Sequence, residues 1–91
     1  MKRTIIFKSL PEFWIKEYEG VKCNTIREFD SPDEREKVLK AYMKGNYKPV
    51  IYIKIKNTKT GEMFKRVVTD VTLYRGFYII SWRPKQRGAL E

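Results

Sequence analysis

A short segment in the first third of the chain combines residue types that can hold a phosphate or the polar edge of a base. It reads G-x-K-x-x-T-x-R, with Gly20, Lys22, Thr25 and Arg27 at the fixed positions. Gly20 allows the left-handed backbone at which a helix ends, and Thr25 and Arg27 share one side of a following strand because side chains alternate along it. We therefore expect an ammonium, a hydroxyl and a guanidinium to converge, the guanidinium as a planar fork and the ammonium as a point charge.

A second group of cations lies in the last half of the sequence, where apolar and polar residues alternate. Isoleucines at positions 51, 53 and 55 share one side of a predicted strand, so Tyr52, Lys54 and Lys56 share the other. Lys65 and Arg66 in the next strand are expected to extend this basic surface along a hairpin. Tyr52 is the preferred aromatic for stacking on a base.

The net charge of +9 is unevenly distributed along the chain. Residues 1–36 hold 7 Lys or Arg against 8 Asp or Glu, whereas residues 37–90 hold 13 against 2. Clustered cations gain affinity for phosphate through counterion release, so RNA or a modified nucleoside is the expected partner. The alternatives are a solvated face that only maintains solubility, and a small interaction module whose basic face meets an acidic protein.

The elements that position these residues alternate between strand and helix early in the chain and are strands later. We predict strands over residues 4–7, 24–29, 51–56, 63–73 and 77–82. One helix is predicted over residues 9–20, where Ser9 and Glu12 have the spacing of a capping box. A second is predicted to begin at Ser31, with Pro32 in its first turn. This order indicates an α+β domain, and curling of the strands into a small barrel would limit exposed edges.

The motif and its surroundings resemble the ASCH domain, a branch of the PUA-like superfamily of small β-barrels associated with RNA. The resemblance includes the opening strand, the helix that contains Leu10-Pro11-Glu12-Phe13-Trp14 and the closing strand Gly76-Phe77-Tyr78-Ile79-Ile80-Ser81. It points to a short ASCH-like family common in phages and their hosts. It implies a small PUA-like β-barrel of about five strands with two helices. A single ASCH/PUA-like domain is expected over residues 1–89, and residues 90–91 are interpreted as left over from expression.

One branch of the ASCH family consists of amidohydrolases that remove the acetyl group from N4-acetylcytidine. The resemblance implies that Lys22 would activate Thr25 as the nucleophile, with Asp70 as the available acid. The enzymes carry a helical insert with the acid before the last strand, and this chain has only a short turn at Tyr74-Arg75-Gly76. A binding domain is therefore favoured over an enzyme. If the motif forms a binding pocket, Arg27→Lys should impair binding and barely affect stability.

Cysteine and histidine content limits the chemistry that the chain can perform. Cys23 is the single cysteine and there is no histidine, so neither an intramolecular disulfide nor an ordinary zinc site can form. We predict no metal and no cofactor. No apolar run approaches the roughly 20 residues that cross a bilayer, so no membrane association is predicted, and a cytoplasmic monomer is expected.

Overall fold

The structure, a computed structural model, describes residues 2–45 and 50–84 and has two helices and five strands within them. In chain order these are β1 (Lys2–Ser9), α1 (Pro11–Glu19), β2 (Asn24–Arg27), α2 (Glu34–Met43), β3 (Val50–Asn57), β4 (Met63–Tyr74) and β5 (Phe77–Trp82). The expected α+β class, with a barrel-like sheet of five strands and two helices, is confirmed. Leu90 and Glu91, interpreted from the sequence as expression residues, lie outside the described residues.

The five strands form one curled half-barrel sheet in the order β1-β3-β4-β5-β2. β1 pairs in parallel with β3, and the other neighbours are antiparallel. A register shift between Val68 and Asp70 interrupts β4, and such a bulge bends a strand and increases its twist. The two edge strands approach each other at one end, where Arg27 Nη2 of β2 donates a hydrogen bond of 3.1 Å to Ser9 Oγ of β1.

The concave side of the sheet and the two helices enclose the hydrophobic core. Ile51, Ile53 and Ile55 of β3 have no exposed surface, as the alternation of that strand predicts. α2 contributes the fully buried Leu39. α1 is fixed to the sheet by Trp14, whose indole Nε1 donates a hydrogen bond of 2.9 Å to the Ile55 carbonyl. Both helices therefore lie on the inner side of the sheet, and no helix of the described ranges covers its outer side.

Both helix starts differ from the positions predicted from the sequence. Ser9 does not cap α1, because it belongs to β1, where it pairs with Asn57 of β3. The cap position is Leu10, which makes no side-chain capping bond. α2 begins after Asp33 rather than Ser31, because the Asp33 carboxylate accepts a hydrogen bond of 2.8 Å from the Arg35 backbone N–H. In both cases the cap was predicted at a nearby polar residue, because the sequence does not show which contacts each side chain makes in the folded protein.

The described residues also bear on membrane insertion and metal binding. Neither α1 nor α2 is long and apolar enough to cross a membrane. Within residues 2–45 and 50–84, no group of three His, Cys, Asp or Glu side chains is arranged to hold a metal ion.

Candidate functional site

The structure brings Lys22, Thr25 and Arg27 to a single cavity at the end where β1 and β2 approach each other. The cavity has a volume of about 300 Å³. It is lined by Lys8, Ser9, Leu10, Phe13, Glu17, Lys22, Thr25, Ile26 and Arg27. The sequence-predicted motif residues thus meet side chains from β1 and α1 that the sequence did not assign to a site.

The backbone around Gly20 explains why Lys22 reaches this cavity. Gly20 ends α1 with φ of 86°, a left-handed conformation that other residues rarely adopt. The Lys22 backbone N–H then donates to the Lys16 carbonyl at 3.1 Å, which closes the helix end. The chain turns at this point and enters β2. Gly20 is therefore required by its φ angle, because a Cβ there would make only an ordinary contact of 3.8 Å with Pro84.

The register of β2 directs Thr25 and Arg27 inward. Thr25 pairs with Ile80 of β5, and Arg27 pairs with Tyr78. Both partners are buried on the concave side, whereas Ile26 is 58% exposed on the other side. Thr25 and Arg27 therefore share the face predicted from the alternation of the strand.

Arg27 is fixed by contacts with both edge strands. Its Nε donates a hydrogen bond of 2.9 Å to Thr25 Oγ1, its Nη2 donates to Ser9, and its guanidinium lies 4.8 Å from the Phe7 ring centroid. Burial lowers the pKa of Arg27, while the charge of Glu17 opposes that shift. Arg27 is thus a structural bridge across the cavity as well as a candidate ligand contact, and the sequence-based expectation that Arg27→Lys barely affects stability does not fit these contacts.

Glu17 is the main site residue that sequence reasoning missed. It is 1% exposed, its Oε2 lies 4.0 Å from Lys22 Nζ, and its Oε1 has no hydrogen-bond partner among the described residues. Burial raises the pKa of Glu17, and the Ser9 hydroxyl and the charges of Lys22 and Arg27 oppose that rise. The available signal was its position three residues after buried Trp14, since residues i and i+3 share a helix face. A carboxylate on a buried face needs a partner or a function.

The mouth of the cavity combines a cation with apolar surface. Lys22 Nζ lies 5.4 Å from the Phe13 ring centroid. Phe13 is 45% exposed, and Leu10 and Ile26 beside the cavity are also exposed. A planar ligand that enters the cavity would contact the Phe13 ring at the rim of the cavity.

Asp70, the acid proposed from the sequence for the enzymatic alternative, does not join the motif. It is exposed on β4, opposite Ser81 of β5, and its Oδ2 accepts a hydrogen bond of 2.9 Å from the Thr72 hydroxyl. It is not among the residues that line the cavity. Glu17 is the carboxylate next to Lys22.

The predicted basic hairpin surface is divided between the two faces of the sheet. Lys65 pairs with Lys54 and lies on the outer face, whereas Arg66 pairs with Ile53 and lies on the inner face. Arg66 Nη2 donates a hydrogen bond of 3.2 Å to the Tyr18 carbonyl, and its guanidinium lies 4.6 Å from the Phe64 ring centroid. Arg66 therefore packs against α1, because adjacent residues of a strand face opposite sides.

Comparison with known proteins assigns no family to the chain, because neither the protein-family models nor the curated proteins contain a match. Membership of the ASCH family stays a prediction from the motif and its flanking segments.

Proposed function

We propose that this chain binds a nucleobase, presented as a nucleotide or as a modified nucleoside in RNA, in the cavity at the G-x-K-x-x-T-x-R motif. The observation that carries the proposal is the buried Glu17 carboxylate beside Lys22 in the same cavity as Thr25 and Arg27. One oxygen of Glu17 accepts no hydrogen bond from the part of the chain that the structure describes. A ligand that donates a hydrogen bond to this oxygen would relieve the cost of leaving it unsatisfied.

The donor and acceptor content favours a base edge over a phosphate group alone. Lys22 supplies N–H donors, the Thr25 hydroxyl can donate or accept, and an ionised Glu17 only accepts. A phosphate has no N–H to offer Glu17, and a negative carboxylate repels it. A nucleobase with adjacent N–H and carbonyl groups satisfies both kinds of partner.

The size and rim of the cavity agree with a ligand of this class. Its volume of about 300 Å³ is at the lower end of the usual range for ligand pockets, ~300–1,000 Å³. This size suits one base or nucleoside rather than a dinucleotide. Phe13 at the rim offers a ring on which a planar base can stack. The resemblance to ASCH domains, which are associated with RNA, supports the same class of ligand.

The proposal is tested by calorimetric titration of cytidine, N4-acetylcytidine, uridine, adenosine and inorganic phosphate. We expect saturable binding of at least one nucleoside and none of phosphate. Glu17→Gln should weaken the best ligand by roughly 10- to 100-fold, since a hydrogen bond to a charged group contributes about 1.5–3 kcal/mol. Glu12→Gln, an exposed substitution on the same helix, is the matched control. Binding of phosphate alone, or equal affinities for the two variants, would contradict the proposal.

A second candidate function is hydrolysis of an N4-acetylated cytidine, and the pairing of Glu17 with Lys22 favours it. Lys22, Thr25 and an acid are the residue types that the ASCH amidohydrolases use, and Glu17 supplies an acid that Asp70 does not. Thr25 is 3% exposed and its Oγ1 accepts from Arg27. In the described part of the chain Thr25 makes no hydrogen bond to Lys22, so we expect slow turnover or none. Chromatographic detection of robust cytidine release, abolished by Thr25→Val, would make the enzyme the better account.

A further inference from the structure

The outer side of the sheet carries a set of lysines, most of which do not line the cavity. The registers of β1, β3 and β4 align Lys8 with Lys56, and Lys54 with Lys65. Their parity is opposite to that of the buried isoleucines of β3, so these side chains point away from the core. Tyr52 lies on the same side, two residues before Lys54. We refer to Lys8, Tyr52, Lys54, Lys56 and Lys65 as the outer lysine face.

Within residues 2–45 and 50–84, no carboxylate forms an ion pair with a lysine of the outer lysine face. No Asp or Glu occupies an outward position on β1, on β3 or on the first half of β4. Among the described residues, the ion pairs all involve lysines and arginines elsewhere in the molecule. Lys54 and Lys65 stand directly opposite each other on neighbouring strands, and like charges in that position are destabilising. An anion placed between them would remove this repulsion.

We propose that the outer lysine face binds the sugar–phosphate backbone of a single-stranded nucleic acid. The lysines lie on three neighbouring strands about 4.8 Å apart, with residues of one strand repeating on one face about every 6.6 Å. This spacing forms a continuous cationic surface rather than a pocket for one ion. Repeating charge on the ligand is the property that such a surface complements, since each neutralised phosphate releases a counterion.

Tyr52 favours a single strand over a duplex. Its ring is partly exposed, and Lys65 Nζ lies 4.4 Å from the ring centroid. An unpaired base can stack on an aromatic ring of a sheet while nearby lysines hold the backbone, whereas bases in a duplex are already stacked. An acidic protein would use the charges of this face and would have no need of the ring.

This surface goes beyond the proposed base-binding cavity and does not depend on it. The cavity lies between the ends of β1 and β2 at the edges of the sheet, whereas Lys54, Lys56 and Lys65 lie on the outer side of β3 and β4. Lys8 borders the cavity as well, so it is left unchanged in the test. Lys54, Lys56 and Lys65 are absent from the cavity lining, which allows the two surfaces to be altered separately.

The test is fluorescence anisotropy with a labelled oligouridine and a duplex RNA of equal length, over a range of KCl concentrations. The triple variant Lys54→Gln/Lys56→Gln/Lys65→Gln is compared with a helix triple, Lys16→Gln/Lys37→Gln/Lys44→Gln, which removes the same charge from exposed positions in α1, in α2 and at the C-cap of α2. We expect the first triple to weaken oligouridine binding about tenfold or more. The slope of the logarithm of the binding constant against the logarithm of the KCl concentration should fall in magnitude by about 2, because each of the three lost phosphate contacts contributes ~0.7. The helix triple should stay within about twofold of wild type, and Glu17→Gln should bind oligouridine like wild type.

Lys65→Glu separates binding from folding, because it converts the repulsive pair with Lys54 into an attractive one. We expect its melting temperature to match or exceed that of wild type and its oligouridine affinity to fall. Equal effects of the two lysine triples would overturn the proposal in favour of diffuse charge. Tighter binding of the duplex, or competition by polyglutamate as strong as that by oligouridine, would overturn it in favour of duplex RNA or an acidic protein. Loss of oligouridine binding in Glu17→Gln alone would assign RNA to the cavity instead.

Discussion

Glu17 and Arg27 form a polar group at the end of a barrel-like core. Arg27 makes its hydrogen bonds to Ser9 and Thr25, while the Glu17 carboxylate keeps one unsatisfied oxygen. Leaving a buried acceptor without a partner typically costs about 1–3 kcal/mol. A ligand that donates a hydrogen bond to Glu17 would recover this free energy on binding, which is the physical basis for ligand recognition in the cavity.

The pH dependence of stability should report the burial of Glu17. Its pKa in the folded protein is raised above the ordinary value of 4.5, so the folded state holds this proton more strongly than the unfolded chain. The associated stability is fully present below pH 4.5 and is lost as the pH rises through the folded pKa. We predict that wild type loses stability relative to Glu17→Gln as the pH rises above 4.5, measured by urea unfolding across pH 4–8. A constant difference between the two proteins would show that Glu17 titrates normally.

Arg27→Lys should destabilise the fold as well as impair nucleoside binding. A lysine keeps the charge and cannot donate to Thr25 and Ser9 at once, and it loses the planar contact with Phe7. We expect a loss of about 1–2 kcal/mol in the free energy of unfolding, measured by urea denaturation. Arg83→Lys, at an exposed position after β5, should leave stability unchanged. An unaltered Arg27→Lys protein would mean that these contacts do not form in solution.

The strands were predictable from alternation because burial of one face imposes a period of two, and β3 shows this with its three buried isoleucines. β4 was less predictable, because the register shift after Val68 changes its parity. Val68 and Val71 are both buried although their positions differ by three, which in a regular strand would place them on opposite faces. Sequence alternation alone cannot reveal which residue of a strand is the extra one. The wrong placement of Arg66 has another cause: it precedes this shift, and its grouping with the adjacent Lys65 on one face was itself inconsistent with the alternation of the strand.

Helix starts were less predictable than strands, since several polar residues before a helix compete for the cap. Asp33→Ala should lower the melting temperature, whereas Ser31→Ala should leave it nearly unchanged, because Asp33 accepts the capping bond and pairs with Arg35. Hydrogen bonds from Arg35 lower the pKa of Asp33 to about 2. The stability from this cap is therefore present above the ordinary value of 3.8 and is lost as the pH falls toward 2. Thermal melts of both variants at neutral pH and near pH 2 measure this. A larger effect of Ser31→Ala would support the cap predicted from the sequence.

The whole molecule presents two different polar surfaces on opposite sides of one curled sheet. The sequence predicted the convergence of Lys22, Thr25 and Arg27, because the helix stop and the strand parity are local features. It could not predict that Ser9 and Glu17 would join them, since that depends on β1 and β2 meeting at opposite edges of the sheet. The charge asymmetry likewise indicated a basic surface and did not show which lysines would share a face.

The most direct test of the base-binding cavity is a residue-by-residue map of backbone amide chemical shifts during titration with cytidine and N4-acetylcytidine. We predict saturable shifts concentrated at Ser9, Glu17, Lys22, Thr25 and Arg27, and their loss in Glu17→Gln at equal nucleoside concentration. The amide signals of Tyr52, Lys54, Lys56 and Lys65 should not shift, because these residues lie away from the cavity and a free nucleoside carries no phosphate. Shifts confined to β3 and β4, or no saturable shift with either nucleoside at millimolar concentration, would contradict the assignment of the cavity as a nucleobase site.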